Sequence, residues 1–264
     1  MRQTSSKKTK ARAHRESNNA QKASAKRSGK QITGTSTMRQ LDLIVDPGKR
    51  TSRGSGRRPA DGRRRVPHAR RAAMTKSQPL HITLRIVDGM PSLRQTAEYR
   101  AVTDAFAKGC DRFGFRLVHY AVLKDHIHLI VEGDDRSSVV RGIMGLKIRI
   151  AKALNHKVWK RAGQVFFDRY HDEVLRVPRY VYNTLRYVLL NSNKHAGRPL
   201  THGEENMPDP GTSGAYFDGW KEEIVRHPEF PEESFLAEPQ SWLLRISWRD
   251  YGPISLKEVP KGAR

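Results

Sequence analysis

The sequence predicts an α+β fold: an antiparallel βαββαβ sheet with two helices on one face, a further helix behind it, and a long basic arm in front. Three observations predict it. Short segments between residues 79 and 177 alternate apolar and polar side chains with period two, as half-buried strands do. Two longer segments between them carry apolar residues at helical spacing. Two of the strand-like segments are separated by only Lys124 and Asp125, which leaves room for a hairpin turn and nothing else.

The elements follow in order. Residues 1–77 hold 22 Lys and Arg against 4 Asp and Glu, with few large apolar side chains. Such a stretch cannot bury enough surface to offset its ordering entropy, so it is expected to be a disordered arm. A short segment at 38–46, "MRQLDLIVD", is either a docked strand or unstructured, and Met74 could serve as an alternative start. The first strand is residues 80–87, in "PLHITLRIVDGM". A helix follows on Leu93, Ala97, Tyr99, Val102, Phe106 and Phe113, with Ser92 as its candidate N-cap. "FRLVHYAVLKD" is the second strand and "HIHLIVEG" its hairpin partner. The second helix presents Ile143, Leu146, Ile150 and Leu154 on one face. "YHDEVLRV" is the fourth strand. The third helix, "PRYVYNTLRYVLLNSNKHAG", has Pro178 in its first turn and Gly197 beyond its end. These elements define a domain at 78–200, followed by an acidic, aromatic-containing tail at 201–264.

Charge is unevenly spread along the 264 residues. The arm carries +18, residues 78–200 carry +10 and residues 201–264 carry −5, for a total of +23. A cationic arm on a basic body implies a polyanionic partner, nucleic acid above all. The single cysteine, Cys110, allows no disulfide within the chain and excludes Cys-x-x-Cys zinc sites; it is expected to be a small buried residue. No apolar run approaches the ~18 residues that cross a bilayer, and no signal-peptide core is present, so a cytoplasmic protein without a membrane partner is expected. In the tail, Trp220, Trp242 and Trp248 either stack on bases or pin the tail to the domain, the second being commoner.

The chemistry concentrates in two places. On the third strand His126, His128 and Ile130 share one face, while Ile127, Leu129 and Val131 share the other. The second row suits a helix-covered core, which leaves the histidines on the open face of a central strand. Two imidazoles at i and i+2 can chelate one ion, although exposed strand histidines are also common. On the third helix Tyr180, Thr184, Tyr187 and Asn191 fall within roughly 60° of one another. Val181, Leu185, Val188 and Leu189 lie on its other side and would pack on the sheet edge or a neighbouring helix. By itself that is an ordinary surface face with a phenol and a carboxamide one turn apart. On the second helix Arg141, Arg149 and Lys152 lie within ~80°, either a basic stripe for DNA or a solvated face.

Together, "HIHL" on a strand and "DRYHDEVLRVPRYVYNTLRYVLLNSNKHAG" after it resemble the HUH-type tyrosine transposases of the single-strand class, in particular the REP-associated tyrosine transposase family. The resemblance covers about residues 79–198, including "PLHITLR" and "MPSLR", and fits the arm and tail only loosely. It implies the ferredoxin-like βαββαβ sheet, with Tyr187 as nucleophile and His126, His128 and Asn191 as ligands of Mg2+ or Mn2+. It implies nicking and strand transfer through a 5′-phosphotyrosine on single-stranded DNA at hairpin-forming repeats, with a homodimer allowed and the nucleoid as location. Arg169, His171, Arg186, Lys194 and His195 flank the tyrosine and are candidates for phosphate contact, His171 equally for a capping role. The alternatives are a non-cleaving nucleic-acid-binding protein of the same fold and an HUH replication initiator or relaxase. RNA-binding sheets of this topology carry aromatics where this one carries histidines.

Overall fold

The computed structural model describes residues 71–196, 206–228, 230 and 232–260. The segment at 38–46 and Gly197 lie outside the described residues, as does the arm up to residue 70.

Five antiparallel strands form the sheet: β1 (Leu80–Arg85), β2 (Asp111–Arg112), β3 (Phe115–Val122), β4 (His126–Gly133) and β5 (His171–Val174). Their order is β2-β3-β4-β1-β5, so the histidine strand is central, as expected. Strands β3 and β4 make the hairpin, closed by Leu123 N–H donating to the His126 carbonyl at 2.9 Å. Register between β1 and β4 sets Thr83 opposite His128 and His81 opposite Ile130. A bulge in β3 places both Val118 and His119 against Ile130, so both side chains leave the sheet on one side.

One face of the sheet is the large core. Leu80, Ile82, Leu84, Leu117, Tyr120, Ile127, Leu129 and Val131 meet helix α1 (Thr96–Ala107) through Val102 and Phe106. They meet α2 (Arg136–Lys152) through Val139, Ile143, Leu146 and Ile150. Gly142 lets α2 approach closely, since a Cβ there would lie 2.1 Å from the Phe115 ring. Helix α1 starts at Thr96, later than the apolar pattern implies, because the Ser92 hydroxyl accepts from the Arg94 N–H in a local turn and caps no helix.

The other face is covered as well, against the expectation of an open one. Helix α3 (Pro178–Leu189) lays Val181, Leu185 and Val188 over Val118, Ala121 and Ile130, and residues after 206 complete this second core with Phe217, Leu244, Trp248 and Ile254. Those three sheet residues form an apolar patch that the open-face reading left wet; burying it is what draws the helix across. Trp220 and Trp248 pack around Phe217, pinning the segment to the domain, whereas Trp242 stays 57% exposed. Asp209 ties the same segment to the β1–α1 loop through a bidentate pair with Arg94 at 2.6 and 2.8 Å. The deeply buried Glu132 carboxylate accepts from the N–H groups of Gln240 and Ser241 at 2.7 and 3.0 Å, fixing the start of the short α5 (Trp242–Arg245).

Residues 71–77, assigned to the arm by composition, hold on to the domain. Arg71 pairs with Asp172, donates to the Tyr170 carbonyl at 3.0 Å and stacks over the Tyr170 ring at 3.6 Å. Among the described residues no helix is long and apolar enough to cross a membrane.

Candidate active site

The histidine face of the sheet and one flank of α3 meet where the second core ends. Because paired residues on neighbouring strands share a face, Thr83 brings His128 and His171 together, and His81 stands one pleat along on the same strand. Tyr187 comes down from α3 onto this patch. Its ring lies edge-on to His128 with centroids 5.1 Å apart, and to His81 at 5.9 Å. His126 and His128 have centroids 4.9 Å apart and rings nearly perpendicular.

Each histidine on β4 has its inner nitrogen engaged. His126 Nδ1 is 2.7 Å from Asp125 Oδ1, and Asp125 also pairs with Arg85 at 3.5 Å. His128 Nδ1 is 3.0 Å from His81 Nε2 and 3.1 Å from Thr83 Oγ1. His128 Nε2 is buried and has no hydrogen-bond partner among the described residues. Burial lowers the His128 pKa to about 2, helped by His81, His126, Lys194 and His195 nearby, and burial with His171 lowers that of His81 to about 4. Both rings are therefore neutral at physiological pH, as a metal-ligating imidazole must be. Asp125 stays below the usual carboxyl range: burial would raise it, but the hydrogen bond and charge of His126 and the charge of Arg85 outweigh that.

The segment after α3 carries Asn191. Helix α3 stops at Leu190 (φ −109°, ψ 23°) and α4 (Asn191–Ala196) starts afresh, with Asn191 fully buried. Its Nδ2 donates to the Tyr187 carbonyl at 3.3 Å, leaving Oδ1 buried without a hydrogen-bond partner among the described residues. Lys194, in the new turn, donates to Tyr187 Oη at 3.3 Å and stands 4.4 Å over its ring. His195 lies 6.0 Å from His126 ring to ring; burial lowers its pKa, as do His126 and Lys194, with Asp125 opposing.

Other residues singled out from sequence divide by position. His171 is exposed on β5 across from Thr83, on the site face. Arg169 is half-buried just before it. Arg186 is turned away to pair with Glu258. Arg141, Arg149 and Lys152 are on α2, which packs on the opposite face of the sheet, so the fold does not bring them to the histidines. Of the other tyrosines near it in sequence, Tyr180 is 49% exposed, Tyr182 stacks on Tyr251, and Tyr170 sits under Arg71. The sequence reading missed His81, Thr83 and Asp125. Asp125 neighbours the motif, but His81 and Thr83 become visible only once β1 is registered on β4.

Imidazole nitrogens and a carboxamide oxygen are donor types from which a divalent-ion site can be built. Among the described residues no group of three or more His, Cys, Asp or Glu is placed to hold a metal, so such a site depends on the asparagine.

Residues 78–183 match the model of the family described as "Transposase IS200 like". The matched span contains His126 and His128 and ends before Tyr187 and Asn191. No curated protein matches the chain. Among solved structures, a REP-associated tyrosine transposase bound to a REP hairpin is similar at 18% identity and TM-score 0.42, over 49% of this chain and 74% of that one. A bacterial tRNA(His) guanylyltransferase-like protein in complex with GTP is similar at 11% identity and TM-score 0.32, over 48% of this chain and 69% of that one. At these scores neither likeness carries an argument about function.

Proposed function

We propose that this chain, whose residues 78–183 match the family of IS200-like transposases, cuts and rejoins single-stranded DNA through Tyr187. The observation that carries the reading is the Tyr187 phenol, edge-on to His128 and hydrogen-bonded by Lys194, together with His128 Nε2 and Asn191 Oδ1, buried without a hydrogen-bond partner among the described residues. In the proposed step Tyr187 Oη attacks the scissile phosphorus in line. The Oη–P bond forms, the bond from phosphorus to the 3′ oxygen breaks, and the phenol proton leaves as the 3′ oxygen takes one up. The 5′-phosphotyrosine keeps the energy of the phosphodiester, so a 3′-hydroxyl can later attack it, release Tyr187 and join a strand without ATP. Lys194 holds the phenol oxygen by a charge-assisted bond and supports the negative charge that develops there.

His126 Nε2, His128 Nε2 and Asn191 Oδ1 fit a divalent cation, Mg2+ or Mn2+, with Mn2+ suited to the mixed nitrogen and oxygen set. Bound there, it would polarise the scissile phosphate. Asp125 and His81 keep the two rings oriented. His171 is on the site face and His195 is beside His126, and these two with Arg169 are proposed to contact neighbouring phosphates. Hairpin-forming single strands, as the sequence resemblance implies, are the proposed substrate, with residues 78–200 as the catalytic domain.

The test is incubation of the full chain with pooled labelled hairpin oligonucleotides and Mn2+, followed by denaturing electrophoresis. A covalent protein–DNA band is expected with wild type and none with Tyr187→Phe, which should still bind hairpins within a few fold because only the nucleophilic oxygen is lost. A band that persists in the Phe variant moves the chemistry to another residue. Binding without any adduct in wild type would favour the non-cleaving alternative.

A further inference from the structure

We propose that His81 and Thr83 on β1 are positioning residues that fix the tautomer of His128, holding its proton on Nδ1 and its bare Nε2 toward the ion. This deepens the metal reading above and rests on it. His81 and His128 are both almost fully buried, with rings 5.0 Å apart and tilted by 31°. Between His81 Nε2 and His128 Nδ1, at 3.0 Å, there is room for one hydrogen. If His81 supplies it, a neutral His128 carries its own proton on Nε2 and cannot ligate. If His128 supplies it, Nε2 is left as a free lone pair.

Thr83 adds a second partner at that nitrogen. Its hydroxyl is 3.1 Å from the same Nδ1, so a proton there has two acceptors converging on it. The other arrangement would bury an Nε2–H that no described atom accepts and would leave an ion no lone pair there. His126 is served differently, by the Asp125 carboxylate at 2.7 Å. The two ligands thus have unlike supports, one anionic and half-exposed, the other neutral and buried. The neutral pair orients His128 without placing a further charge in the low-dielectric interior. Partners of this kind are worth ~10–100-fold in metal affinity where they have been removed from other sites.

The experiment reads the tautomer and the metal separately, on the full chain. Two-bond 15N–1H spectra of histidine-labelled, metal-free protein report the protonated nitrogen of each ring, the His128 signals being assigned by their loss in His128→Ala. Mn2+ affinity is measured by calorimetry for wild type, His81→Gln, the double variant His81→Ala with Thr83→Val, and His128→Ala. Expected are an Nδ1–H form of His128 in wild type, and Mn2+ binding weakened about 10–100-fold in the double variant. His81→Gln should remain close to wild type, because the Gln amide oxygen reaches where the imidazole Nε2 stood. Should the double variant fail to fold, the wild-type tautomer and the Gln variant still decide. An Nε2–H form of His128, or a folded double variant with unchanged affinity while His128→Ala loses it, overturns the positioning role and leaves the metal site standing. If His128→Ala binds Mn2+ like wild type, the metal reading itself fails and takes this proposal with it.

Discussion

Replacing Lys194 by Met removes the ammonium 3.3 Å from Tyr187 Oη and keeps most of the aliphatic stem that lies over the ring. The hydrogen bond is charge-assisted, and such bonds contribute about 1.5–3 kcal/mol. Lys194 is only partly buried, so solvent screens it and the lower figure applies. At roughly 1.4 kcal/mol per decade, the expected loss is about tenfold in the rate of adduct formation. The assay is single-turnover formation of the covalent band at saturating hairpin and saturating Mn2+, which separates the chemical step from binding. Lys194→Arg should recover part of the rate, since it restores the charge with a different geometry. The reasoning fails if Lys194→Met forms adduct at the wild-type rate once DNA is saturating and is defective only below saturation. That result would make Lys194 a phosphate-binding residue with no part in the chemistry of the phenol.

His126→Ala and His128→Ala are each expected to abolish the adduct, as is EDTA added to wild type, whereas Asn191→Ala should be milder and recover with more Mn2+; activity indifferent to chelator would refute a metal-dependent site. Asp209 is held below the ordinary carboxyl range, since burial, which would raise it, is outweighed by the hydrogen bond and charge of Arg94. Its stabilising contribution is therefore present above the unfolded value near 3.8 and lost as pH falls through the lower folded value. Urea melts between about pH 2 and 6 should show an acid decline that Asp209→Asn flattens, and an unchanged decline would assign it to other groups. Deleting residues 1–70 removes 20 Lys and Arg and 4 Asp and Glu. The slope of log affinity against log salt should flatten by roughly 0.7 for each phosphate that the arm no longer neutralises. Preference for matched over scrambled hairpins should survive; loss of discrimination at constant slope would mean that the arm reads sequence.

Local periodicity determined much of this protein. Period two in "HIHLIVEG" is enough to put His126 and His128 on one face and Ile127, Leu129 and Val131 on the other, and the structure keeps both rows. The same argument made Ile143, Leu146, Ile150 and Leu154 core residues, and all four are fully buried. These are properties of neighbours in the chain, fixed by backbone geometry whatever lies across from them. What crosses the sheet was not legible. That Thr83 faces His128 is a pairing between residues 45 apart, and periodicity along one strand says nothing about register with another. Nor could it say that α3 would lie across the histidine side. Val181, Leu185 and Val188 needed an apolar surface, and only the assembled sheet, through Val118, Ala121 and Ile130, offers one there. The burial of Asn191 and the reach of Lys194 to Tyr187 likewise belong to the assembled structure. The placement of Arg141, Arg149 and Lys152 on the far layer is the converse case. Helical spacing grouped them correctly, but which layer carries their helix is decided by the long-range burial that assembles the sheet.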